Sequence, residues 1–153
     1  MKLILFSIFC FYVNVMNSQR TQVENITLTY NAGNQKGPNS RINISIASSD
    51  IYNNFMDVYV SIDNKESKTQ ISIEKFNTIS NKLLDLKPKD IIKDAPLYLD
   101  STDTELSFSV YSNTVLYSVS GLNKGDEKTC RKHFLKVSKM ILDIIGAKIR
   151  YVN

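Results

Sequence analysis

Apolar and polar residues alternate through most of the first half of the chain. Over residues 23–30, Val23, Ile26, Leu28 and Tyr30 are separated by polar residues, two of them Thr. That near two-residue period, rich in β-branched side chains, predicts a half-buried strand. Residues 31–40 contain Gly33, Gly37 and Pro38 and read as a loop. Residues 41–47 then place Ile42, Ile44 and Ile46 on one face, and residues 55–62 do the same with Val58, Val60 and Ile62. Asp63-Asn64-Lys65 makes a turn, and a fourth strand is expected over residues 69–73. Strands joined in this order predict an antiparallel meander.

The period then changes. Phe76, Ile79, Leu83, Leu84 and Leu86 fall at helical spacing, with Ser72 as N-cap and Pro88 as stop. After an irregular stretch through Pro96, residues 105–111 and 114–120 read as two further strands joined by a tight turn at Ser112-Asn113. Residues 126–145 predict the longest helix, with Asp126 and Glu127 at its positive end and Gly146 as its stop. The expected class is α+β: a mainly antiparallel sheet of about six strands with two helices packed on it, the longer helix at the C-terminus.

The first 18 residues follow neither period. Met1-Lys2 give a positive start, residues 3–15 are a nearly unbroken apolar run, and Asn17-Ser18-Gln19 return to polarity. This predicts a secretory signal peptide over residues 1–18, leaving residues 19–153 as a single domain, periplasmic or secreted. A membrane span needs about 20 apolar residues. The run here is shorter and contains Asn14, so no stable membrane insertion is expected. Cys10 follows Phe9 where a lipoprotein signal needs a small residue, so a lipid anchor is not expected either.

Cleavage changes the cysteine arithmetic. Of two cysteines, Cys10 leaves and Cys130 remains, so no internal disulfide forms and the domain must rely on a hydrophobic core. A net charge of +4 and a pI of about 9.0 suit an acidic partner. Carboxylates lie among the basic residues, however, so charge alone selects no partner.

Catalytic chemistry has few candidates. His133, the one histidine, lies three residues after Cys130, on the adjacent turn of the predicted helix. A thiolate beside an imidazole near a helix N-terminus is the arrangement of a nucleophile. Against this, Cys130 falls in register with Phe134, Val137, Ile141 and Ile144, the face that must pack on the sheet, so it is expected in the core. No third group orients the imidazole, and two ligands do not make the four of a structural zinc site. Asp100, Asp103 and Glu105 cluster in sequence but lack the spacing of a calcium loop, and read as a solvated turn. Neither a catalytic residue nor a metal nor a cofactor is expected. The glycosylation sequons at Asn25 and Asn43 fall within predicted strands and read as chance matches.

Binding has two candidate surfaces. Lys128, Lys132, Lys136 and Lys139 recur at intervals of four, four and three, with Arg131 beside them, forming a positive stripe opposite the apolar face. Such a stripe suits an acidic protein or an anionic surface. Nucleic acid is not expected, because no aromatics interleave with the stripe for stacking. The second candidate is the polar loop over residues 31–40, with Tyr30 at its root, Asn34 and Lys36 within it and Arg41 at its exit.

The order of elements, with Tyr30 leading into a Gly-containing loop, resembles that of small exported proteins of Bacteroidetes-type bacteria. Their signal peptides likewise end in Asn, a small residue and Gln, as Asn17-Ser18-Gln19 do here. The likeness covers architecture and carries no diagnostic motif, so no site residue follows from it. It implies an immunity protein that blocks a rival's toxin, or a protease inhibitor. The expected function is thus a protein-binding domain that occludes an acidic enzyme or toxin. The alternatives are a small extracytoplasmic hydrolase using Cys130 and His133, or an envelope-associated structural protein. Nothing in the sequence selects an oligomeric state.

Overall fold

The computed structural model describes residues 23–32, 41–47, 54–90, 103–122 and 124–149. The expected signal peptide and most of the 31–40 loop lie outside them. Within them, β1 (Val23–Asn31), β2 (Arg41–Ala47), β3 (Phe55–Ile62) and β4 (Lys65–Ser72) form the expected meander. Helix α1 (Ile73–Leu84) follows β4 directly, and β5 (Asp103–Val110) then pairs on the other side of β1. The hairpin partner β6 (Asn113–Ser120) completes a six-stranded antiparallel sheet in the order β4-β3-β2-β1-β5-β6. Helix α2 (Lys132–Leu142) continues into a 3-10 turn at Asp143–Ile145, making the C-terminal helical run the longer of the two. The architecture is α+β, as the order of periods predicted.

Register shows why one face holds the core. Ile26 pairs with Ile46 and Phe108, Leu28 with Ile44 and Leu106, and Tyr30 with Ile42 and Thr104. β3 adds Val58 and Val60 to the same rows. Side chains alternate across a strand, so these residues all point one way. They are buried together with Phe76, Ile79 and Leu83 of α1 and Phe134, Val137 and Ile141 of α2. Full burial of one such side chain contributes about 1.5–3 kcal/mol. β1, central and paired on both sides, holds three of the most deeply buried residues: Ile26, Leu28 and Tyr30. The opposite face is polar: Asn25, Thr27, Thr29, Asn43, Ser45, Ser107 and Ser118 lie on it.

Local chemistry sets the ends of α1. The Ser72 hydroxyl accepts a hydrogen bond from the Lys75 amide at 3.3 Å, confirming the N-cap expectation. A hydrogen bond from the Ser72 side chain holds the Glu74 carboxyl below its ordinary range. At the other end Pro88 opens a 3-10 turn, Pro88–Asp90, after the helix has stopped.

Several boundaries differ from the sequence expectation, β1 and the end of β4 by a single residue. β4 starts at Lys65, because residues 65–70 are exposed on both faces and show no apolar alternation while still pairing fully with β3. β5 starts at Asp103. The second hairpin turns at Tyr111-Ser112, one residue earlier than expected, with φ of 48° and 65°. Two cross-strand bonds suit this register: Ser109 to Thr114 at 3.2 Å, and Ser120 to Asp103 at 2.6 Å. The largest difference is at the last helix. Residues 126–145 are not one helix: a 3-10 segment, Lys124–Lys128, precedes a turn at residues 129–131, and only then does α2 begin. Thr129 causes the break by folding back on Asp126, donating to its backbone oxygen at 3.2 Å and accepting the Arg131 amide at 3.3 Å.

Candidate functional site

The basic stripe is the first place to look, because its spacing assumed a continuous helix. With the helix broken before Lys132, the residues separate. Lys128, Lys132 and Lys136 are exposed, and none has an ion pair among the described residues. Lys139 is partly covered and bonds Glu127 across the turn. Arg131 leaves the surface entirely. It is 7 % exposed, its guanidinium donates to the Ser120 carbonyl at 3.1 Å, and it stands 3.9 Å from the Asp126 carboxylate, itself 0 % exposed. Arg131 is therefore a strut between β6 and the start of α2, not part of a binding surface.

The start of α2 is electrostatically unusual. Arg131 occupies the N-cap position in αR geometry with no side-chain cap bond, and the first turn holds no acid. The four leading amides of a helix have no partners within it, and the dipole places partial positive charge there. In this chain Lys132 and His133 occupy that end, with Lys136 one turn on. Each cation so placed costs about 0.3–1 kcal/mol. The result is an exposed positive surface suited to carboxylates or other anions.

The second candidate surface does not assemble. Tyr30 is fully buried on the helix-bearing side of the sheet, and its ring belongs to the core. The reason is parity: Tyr30 pairs with Ile42, whose side chain faces the helices. Arg41 is exposed, one residue out of phase, on the polar face. Its backbone is held at both ends by Asp63, whose amide donates to the Arg41 carbonyl at 2.9 Å and whose carboxylate accepts the Arg41 amide at 2.9 Å. Tyr30 and Arg41 thus point to opposite sides of the sheet. Asn34 and Lys36 lie outside the described residues.

The catalytic candidates fare differently from expectation. Cys130 is exposed, not in the core, because the turn at residues 129–131 takes it out of register with Phe134. His133 is exposed as well. Asp103 and Glu105 are exposed neighbours on the polar face of β5, and Asp100 lies outside the described residues. Among the described residues no group of three or more His, Cys, Asp or Glu is placed to hold a metal ion. No described helix is long and apolar enough to cross a membrane.

One arrangement has no counterpart in the sequence reading. Asp57, on the polar face of β3, is 1 % exposed. It accepts Gln70 Nε2 at 2.9 Å and pairs with Lys68 Nζ at 3.0 Å, while that ammonium sits 5.1 Å from the centre of the Tyr59 ring. The hydrogen bond to Asp57 raises the Lys68 pKa above 10.5, and the Asp57 charge and Tyr59 act in the same direction. Its sequence signal was an acid at a polar strand position, opposite Gln70 and diagonal to Lys68 on the next strand, visible only once the β3–β4 register is known. The chain matches no protein-family model and no curated protein.

Proposed function

We propose that this protein is an exported binding domain that occludes an acidic enzyme or toxin, docking it on Lys128, Lys132 and Lys136. The observation that carries this reading is the start of α2. Lys132 and Lys136 there oppose the helix dipole and have no carboxylate partner among the described residues, although Glu127 is close enough to bond Lys139. A chain that accepts local destabilisation commonly does so where function requires it. An acidic partner surface would supply the missing counter-charge. Complementary charge of this kind governs association rate and partner choice more than total affinity.

Export by the N-terminal segment belongs to the same proposal, because an immunity or inhibitor protein must meet its target outside the cytoplasm. The test is affinity capture, with the protein as its own cells release it, from extracts of those cells and of their competitors. The expected result is one stoichiometric acidic protein whose capture falls at least about tenfold with Lys132→Glu plus Lys136→Glu and weakens as salt rises. Capture unaffected by both the double change and salt would remove the basic surface from the proposal.

A further inference from the structure

We infer that β6 is a self-association edge, through which two copies of this chain pair antiparallel and join their sheets about a two-fold axis at Leu116. This is independent of the proposed function and uses a different part of the molecule.

The argument begins with backbone direction. The β5–β6 hairpin turns through two residues, Tyr111 and Ser112, both with positive φ. In such a hairpin the flanking residues, Val110 and Asn113, form a hydrogen-bonded pair. Alternation then points the amides and carbonyls of Asn113, Val115, Tyr117 and Val119 toward β5. Those of Thr114, Leu116, Ser118 and Ser120 point away. The Ser120 carbonyl agrees, since it is free of β5 and accepts Arg131 Nη1 at 3.1 Å. No described strand pairs beyond β6. Three consecutive outward residues, Thr114, Leu116 and Ser118, therefore have no backbone partner among the described residues on that side, and they are symmetric about Leu116.

That symmetry selects a second copy. A two-fold axis at Leu116 sets Leu116 opposite its own equivalent, and Thr114 opposite Ser118 of the other copy. Each outward pair exchanges two backbone hydrogen bonds, which satisfies every outward group except those of Ser120, whose carbonyl is already held by Arg131. Charge agrees. β6 carries no charged residue, so a chain of net charge +4 meets itself there without placing like charges opposite one another. Side-chain exposure agrees as well: Leu116 is 61 % exposed at the centre of the edge and would be covered by its symmetry mate. Seven paired residues, 113–119, at about 3.4 Å each give a short contact. It falls below the roughly 1,600 Å² of a standard interface, so the dimer is of the weak, concentration-dependent class.

The test is sedimentation of the purified protein from about 1 µM to about 1 mM, with register-specific cross-linking. The wild type is expected to pass from monomer to dimer across that range. Leu116→Lys, which sets two ammonium groups opposite each other, and Leu116→Pro, which removes the central outward amide and no bond to β5, should each raise the dissociation constant at least about tenfold. In a Cys130→Ser background, Leu116→Cys should form an intermolecular disulfide under a mild copper oxidant, because hydrogen-bonded antiparallel partners lie about 5.5 Å apart at Cα, within disulfide reach. Thr114→Cys, whose partner is Ser118, should cross-link far more slowly. A wild type that stays monomeric throughout, a dimer indifferent to both Leu116 changes, or equal cross-linking at the two positions would each overturn the inference.

Discussion

β4 and β6 bound the same sheet, and each is 8 residues long, yet they present opposite edges to solvent. Along β4, six consecutive exposed residues include Lys65, Glu66 and Lys68, and Lys68 is drawn to Asp57 and Tyr59 of its neighbour. Charge of this kind blunts an edge, because pairing with another strand would have to strip water from ammonium and carboxylate groups. Along β6 there is no charge, and Leu116 stands exposed at the centre. The anchoring differs too. β4 passes straight into α1 through the Ser72 cap, whereas β6 is tied to α2 by one buried cation, Arg131, acting through the Ser120 carbonyl. One edge is protected by its own side chains. The other is tied inward by Arg131 at its C-terminal end and by Tyr117, whose hydroxyl donates to the Leu86 carbonyl at 3.3 Å, while its outer backbone edge meets no described strand.

Three measurements would break or sharpen this contrast. The largest effect is expected at the β6 anchor. Arg131→Met leaves Asp126 buried without its cation, and removing one member of a buried pair costs about 3–5 kcal/mol. Urea unfolding should show that loss, whereas Lys132→Met, which removes an exposed cation from the positive end of α2, should cost nothing and stabilise by at most about 1 kcal/mol. Equal effects would mean that Arg131 is not a strut. The β4 anchor should prove weaker, since Ser72→Ala removes a single cap bond and costs about 1 kcal/mol in the same assay. A larger loss at Ser72 than at Arg131 would reverse the comparison.

The smallest effect concerns the charges along β4. The Lys68 pKa lies above 10.5 in the folded protein, chiefly through its hydrogen bond to Asp57. A raised folded-state pKa stabilises below the ordinary lysine value and ceases to do so as pH rises through the raised one. The difference in melting temperature between wild type and Lys68→Met should therefore be constant from about pH 7 to about pH 9 and shrink above about pH 10.5. A difference that stays level through that range would show that the ammonium charge contributes nothing to the edge.

The elements were legible where burial imposed a period. Ile42, Ile44 and Ile46 gave β2 its exact bounds, and Val58, Val60 and Ile62 did the same for β3. The lower half of β4 was not legible, because an edge strand exposed on both faces needs no alternation. The candidate site was legible only in part. Lys128, Lys132 and Lys136 are exposed, as a polar helix face should be. Arg131 and Cys130 exchanged their expected places, the arginine going inside and the cysteine out. Periodicity extrapolated through residues 126–145 could not register the side-chain contact by which Thr129 interrupts the helix.

By itself the sequence determined the α+β class, the strand-then-helix order and the residues that must be covered, because a two-residue or 3.6-residue period follows directly from which side of an element meets water. Tertiary structure decided the rest. Nothing local to β1 states that its second neighbour is β5, or that β6 ends the sheet. That order follows from where the chain returns after α1, and it makes β6 an edge among the described strands. Whether a polar side chain is strut or surface was likewise settled only by packing. Arg131 and Lys132 are adjacent cations with the same local preferences, and only the carbonyl of Ser120 and the carboxylate of Asp126, brought in from other parts of the fold, draw one of them inside.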